Sequence, residues 1–277
     1  MNWFRTAVAA AALMAVTGPA VADDVADCQQ QANLKLSIAS CGRLLDGKGL
    51  TPPQQASVLL LRGTARLGTG DADGAIKDLS ASITLNPQVP DAYNNRANAY
   101  VGKKLAGQAL MDYGTALKLK PDYAAAFINR ARLLILQREF KKAITDLDKY
   151  IALQPGNVDA YNLRGVCYSD GAVDFARAKA DFSKVISLQP KVSSGYMNRG
   201  LAEARMMDNG AALDDFNKAI TLQPNNIAAL YYRGSLNLDT QGYDNAEKDF
   251  NAVLKLDPNN AQAKAGLLKL AALRKKK

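Results

Sequence analysis

Six arginines and six aspartates are the residues of this 277-residue chain whose types and spacing most invite a chemical reading. Arg62, Arg96, Arg130, Arg164, Arg199 and Arg233 recur every 34 residues with one step of 35, and Asp78, Asp112, Asp146, Asp181, Asp215 and Asp249 keep the same period. A column of guanidinium groups alone would form an anion-binding strip. Because the acid recurs as faithfully as the base, mutual neutralisation is the simpler account, each pair held by charge-assisted hydrogen bonds. Such pairs add little when exposed and are costly to break when buried, so their expected role is to fix how repeated elements stack. The spacing leaves open whether each pair closes within one repeat or reaches the next.

Other chemistries are narrowed by what the chain lacks. It contains no histidine, which removes Ser/His/Asp and Cys/His relays and most zinc and haem ligation. Carboxylates could still do acid/base work, but no recurrent carboxylate pair, phosphate loop or metal-ligand cluster is present, so neither an enzyme nor a cofactor or metal site is expected. Three cysteines remain. Cys167 lies beside Gly165 and Tyr168 and reads as core packing, with no histidine to activate it.

The elements that must position these columns are set by proline. Pro87, Pro121, Pro155, Pro190, Pro224 and Pro258 share the 34-residue step, each two residues after a leucine. Between them, two apolar segments of helical period are separated by a short break. Proline ends the second segment and disfavours helix at the residue before it, so each repeat is expected to be a helical hairpin.

These repeats resemble the tetratricopeptide repeat family. Its pattern places a small residue at position 8, met here by Gly63, Ala97, Ala131, Gly165, Gly200 and Gly234. It places a large residue at position 24, met by Leu79, Tyr113, Leu147, Phe182, Phe216 and Phe250. The resemblance implies an all-α, right-handed α-solenoid: six repeats at 56–89, 90–123, 124–157, 158–192, 193–226 and 227–260, an N-terminal capping hairpin at 23–55 and a C-terminal capping helix at 261–277 ending in a basic tail. The fourth repeat departs from the pattern by one inserted residue in DGAVDFARAKADF. Position 11, aromatic in the family, is Arg66, Glu203 and Asn237 in three repeats, where looser or wetter packing is expected. The terminal stripe Leu267, Leu268, Leu270 and Leu273 suits a cap with one solvated face.

The N-terminus adds a compartment. One cation, Arg5, an apolar run from Ala7 to Val16, a Gly18-Pro19 break and Ala20-Val21-Ala22 have the layout of a signal peptide, residues 1–22. The apolar run is shorter than the roughly 20 residues a membrane-spanning helix needs, so no transmembrane segment is expected after cleavage. The alanine-rich leader and the absence of an N-x-S/T sequon point to a bacterial periplasm. There, a hairpin centred between Leu34 and Lys35 would bring Cys28 and Cys41 level and favour a disulfide; a turn nearer Ala32 would instead leave two buried thiols. The cations of Arg274 to Lys277 could attract anionic polymers, though a frayed helix end is the simpler reading.

In the family, the first helix of each repeat lines a concave groove. Carried over, that implies partner-binding roles for Asn94, Asn95, Asn98, Ile128, Asn129, Arg132, Asn162, Met197, Asn198 and Tyr231, with Leu60, Ile135, Leu136, Arg205 and Tyr232 beside them. Amides both donate to and accept from a peptide backbone, so an asparagine row suits an extended polypeptide, unless asparagine is there merely a tolerated surface residue. No two-cation carboxylate clamp recurs. The expected function is a scaffold that binds a protein or peptide, not nucleic acid. The alternative is an envelope assembly or self-associating factor, and an oligomer is compatible with either.

Overall fold

The computed structural model describes residues 19–47 and 49–275. The expected signal segment lies outside them but for its last four residues, which fall in α1 (Pro19–Gln29). All regular elements among the described residues are helical. They form two compact bodies, one up to Gln137 and one from Arg138.

The N-terminal body holds α1, α2 (Leu34–Asp46), α3 (Pro52–Thr69), α4 (Ala72–Leu85), α5 (Pro90–Gly102), α6 (Ala106–Leu119) and α7 (Ala124–Leu136). The pairs α1/α2, α3/α4 and α5/α6 pack as hairpins; α3 also rests on α2 and α5 on α4, and α7 closes on α6. The C-terminal body holds α8 (Phe140–Leu153), α9 (Val158–Cys167), α10 (Phe175–Leu188), α11 (Ser193–Arg205), α12 (Asn209–Leu222), α13 (Ile227–Asp239), α14 (Tyr243–Leu256) and α15 (Ala261–Arg274). Here α9/α10, α11/α12 and α13/α14 are hairpins, α8 packs on α9, and α15 closes on α13 and α14.

Local sequence explains the ends of these helices. Pro90 occupies the first turn of α5, where its missing N–H costs nothing. Asn157, Asn226 and Asn260 cap α9, α13 and α15, each side chain accepting from the backbone N–H three residues on. Asp71, Asp174 and Asp208 do the same for α4, α10 and α12. In the links that lead into α4, α6, α8, α10, α12 and α14 the chain passes through a left-handed residue. Gly70 takes that position at φ 84°, but later repeats fill it with Lys104, Arg138, Val173, Met207 and Gln241 at φ 51° to 65°. Side chains with a Cβ pay for that conformation, and a β-branched one such as Val173 pays most.

Small residues let each hairpin close. A Cβ added to Gly165 would sit 2.7 Å from Cε1 of Phe182, so a larger residue would force the helices apart. The extra residue of the fourth repeat is absorbed after α9 as a single π-helical turn, Tyr168–Ala172, followed by Val173. The turn packs tightly, since a Cβ on Gly171 would run into the Phe140 side chain.

The capping segments form as elements of the stack. Cys28 and Cys41 are joined by a disulfide across the α1/α2 hairpin, and its link runs through residues 30–33, so the pair closes although the turn lies nearer Ala32 than the Leu34–Lys35 centre expected for a disulfide. Both sulfurs are buried with Leu44, Val58 and Leu61. At the other end Leu270 is buried and Leu267 and Leu273 half-buried, whereas Leu268 is 73% exposed and so lies off the expected stripe. Arg274 bonds Asp244 at 2.6 Å and Glu247 at 2.7 Å, which fixes the first cation of the basic tail onto α14.

Candidate functional site

The charged columns close within repeats and also bridge them. Arg62, Arg96, Arg164, Arg199 and Arg233 each donate from Nε and Nη2 to the two oxygens of Asp78, Asp112, Asp181, Asp215 and Asp249, at 2.6 to 2.9 Å. The third nitrogen, Nη1, reaches the second helix of the preceding repeat: Ser80 from Arg96, Asp148 from Arg164, Ser183 from Arg199 and Asn217 from Arg233. The aspartates are buried while the arginines are partly exposed. Hydrogen bonding to Asp112 raises the pKa of Arg96, with burial opposing it. Tyr93 and Tyr100 flank Arg96, each ring centroid 5.8 Å from the guanidinium carbon. This arrangement consumes the cation: the column joins hairpins and leaves no anion-binding strip along these five arginines.

The asparagines are likewise drawn inward. Asn94 is fully buried, and Asn95 and Asn129 nearly so. Asn95 donates to the Thr64 hydroxyl at 2.9 Å, Asn94 to the Asn95 carbonyl oxygen at 3.1 Å, and Asn129 to that of Asn94 at 3.2 Å. A chain of amides on α5 and α7, ended by the Thr64 hydroxyl on α3, thus runs across the first helices, where an exposed row was expected. The physical reason is that neighbouring amides satisfy one another, which lowers the cost of leaving water. Asn98 is half-buried and accepts from the Tyr113 hydroxyl at 2.6 Å. Ile128 and Leu60 are buried, so neither offers an apolar anchor, and Arg132 is half-buried. In the C-terminal body Asn198 donates to Asn162 at 2.9 Å, both half-buried. Met197 and Tyr231 are also half-buried, Tyr231 packing edge-on against Tyr232 with centroids 5.3 Å apart.

At position 11 the two charged residues are held by ion pairs. Arg66 reaches Asp78 at 3.0 Å. Glu203, 4% exposed, takes Lys179 at 3.0 Å on Oε1, while Oε2 has no hydrogen-bond partner. Burial pushes its carboxyl above the usual range, with the Lys179 ammonium pulling against that shift. Cys167 is buried, and burial pushes its thiol up to about 12, which leaves it protonated and unreactive.

A cleft of about 640 Å³ opens in the C-terminal body. Its apolar walls come from Val166 on α9, Phe175 on α10, Leu201 on α11 and Tyr232 on α13, and its polar groups include Asn198, Asp170, Arg138 and Arg205. Asn198, Arg205 and Tyr232 were legible as first-helix positions. Val166 and Leu201 share such first-helix positions but were not singled out, while Asp170, Phe175 and Arg138 lie outside the first helices; the signal that could have found them is the one-residue insertion, whose π-helical turn forms part of the wall. Among the described residues no group of acids and cysteines could hold a metal ion, and no helix is long and apolar enough to cross a membrane.

Stacked helical hairpins, tied by side chains that repeat with the hairpin, define an α-helical repeat protein. The tetratricopeptide repeat model matches residues 60–124, 106–158 and 197–261, and the chain belongs to that family. Among solved structures, the fold is similar to the C-terminal part of a TPR repeat-containing protein from Cytophaga hutchinsonii, with a TM-score of 0.71 and 20% identity over 85% of this chain and 95% of that one. It is also similar to a tetratricopeptide repeat protein from Parabacteroides merdae, with a TM-score of 0.58 and 21% identity over 91% and 96% of the two chains. A third likeness is YrrB, described as a TPR protein with an unusual peptide-binding site, at a TM-score of 0.60 and 18% identity over 69% and 98%. No curated protein matched the chain in sequence.

Proposed function

We propose that the chain is a non-enzymatic scaffold that holds a polypeptide partner against the first-helix side of its repeats, after export to the bacterial periplasm. The observation that carries this reading is the cleft of the C-terminal body, where apolar side chains and an amide share one wall in a protein whose other recurrent polar groups are spent on stacking. Membership of a repeat family built for protein contact supports it, and the disulfide suits an oxidising compartment. The test is affinity capture from the native envelope with wild-type protein and with Leu201→Glu, which places a charge on the cleft wall. A polypeptide recovered by the wild type and lost by the variant is the expected result. Equal recovery by both would refute the role of the cleft.

A further inference from the structure

The ladder arginines show what this protein does with a guanidinium it keeps for itself: each gets a carboxylate. Arg138 and Arg205 are the departure. Both are exposed, both line the cleft, and neither forms an ion pair among the described residues. Arg138 is held over the ring of Phe140, 5.5 Å from its centroid, at the left-handed turn before α8. Arg205 is the last residue of α11 and is followed by the exposed Met206 and Met207. The same cleft is lined by Val166, Phe175, Leu201 and Tyr232, and Val173 stands at it 65% exposed despite the backbone cost of its conformation. One acid, Asp170, lies on the same wall, so cations outnumber anions there by two to one.

From this charge balance and apolar lining we infer that the cleft takes an acidic polypeptide segment carrying a bulky apolar side chain, that side chain entering between Leu201 and Tyr232 while neighbouring carboxylates meet Arg138 and Arg205. The inference rests on the scaffold reading above and gives it a partner chemistry. Desolvated guanidinium–carboxylate contacts set orientation, and the apolar insertion supplies most of the affinity.

The experiment is fluorescence anisotropy on the full chain with a short labelled peptide that has a phenylalanine flanked by glutamates. Two control peptides replace the glutamates by lysines or the phenylalanine by serine. Each replacement is expected to weaken binding by roughly tenfold or more, as are Arg205→Glu and, to a lesser degree, Arg138→Ala, with binding falling as salt rises. Both arginines are exposed, so these variants are expected to melt like wild type. Equal binding of the lysine peptide, indifference to both arginine variants, or no binding of the acidic probe would overturn the inference. If the acidic probe fails while envelope capture still depends on Leu201, the partner chemistry is wrong and the scaffold reading stands; loss of both removes both.

Discussion

The two bodies use the same amide positions differently. In the N-terminal body the buried Asn95, Asn94 and Asn129 and the half-buried Thr64 form a continuous chain across three first helices. In the C-terminal body one half-buried link, Asn198 to Asn162, borders a cleft. The difference lies in neighbours: Asn94 and Asn95 are adjacent and each supplies what the other lacks, whereas Asn162 and Asn198 have no such second amide beside them. Where the polar groups of a first helix satisfy one another, that helix becomes architecture. Where an inserted residue adds a turn beside the first helices, the surface stays open as a cleft.

The largest effect expected from breaking this account is on the ladder. Asp112→Ala removes a buried carboxylate and leaves Arg96 unpaired, so it should cost about 3 to 5 kcal/mol in chemical denaturation. Asp148→Ala removes only the exposed second partner of Arg164 and should cost under about 1 kcal/mol. Replacing both Cys28 and Cys41 by serine should cost about 2 to 4 kcal/mol, seen as faster hydrogen exchange in α1 and α2.

The comparison between bodies is sharpened by paired amide variants. Asn94→Ala strands two buried neighbours and should cost about 1 to 3 kcal/mol, while Asn162→Ala, half-buried, should cost less than 1 kcal/mol or so. Equal losses would mean the two rows do the same work. Glu203→Gln tests the buried carboxyl directly. Its folded-state pKa is raised, so native structure favours the protonated form, and the stability linked to that proton is lost as pH rises through the raised value. The groups facing it are Lys179, Arg199, Asp208 through its shared Lys179, and Asp215. The variant should therefore be more stable than wild type near neutral pH, and the two should converge as pH falls toward and below the ordinary glutamate range. Val173→Gly relieves a left-handed β-branched residue, partly offset by the added freedom of the unfolded chain, and should stabilise by less than about 1 kcal/mol in a thermal melt.

Much of the architecture was legible because the signal repeats. Proline spacing placed the links, small residues facing Phe182, Phe216 and Phe250 placed the hairpin contacts, and equal numbers of Arg and Asp at one period gave ion pairs. The second role of the arginines was not legible, since Ser80, Asp148, Ser183 and Asn217 share a position but vary among serine, aspartate and asparagine. Nor was the burial of Asn94, Asn95 and Asn129: helical periodicity assigns a residue to a face, but whether an amide there meets water or another amide depends on the adjoining helix. The cleft was the least legible feature, because its walls come from α9, α10, α11 and α13 and from a turn created by one extra residue.

The most direct test of the central claim is site-specific photo-crosslinking in the native envelope, with the photoreactive residue at Tyr232 in the cleft or at Met111, an exposed apolar side chain of the N-terminal body. Polypeptide adducts at 232 and none at 111 are the predicted result. Adducts at 111 with none at 232 would contradict the assignment of the open surface to the C-terminal body.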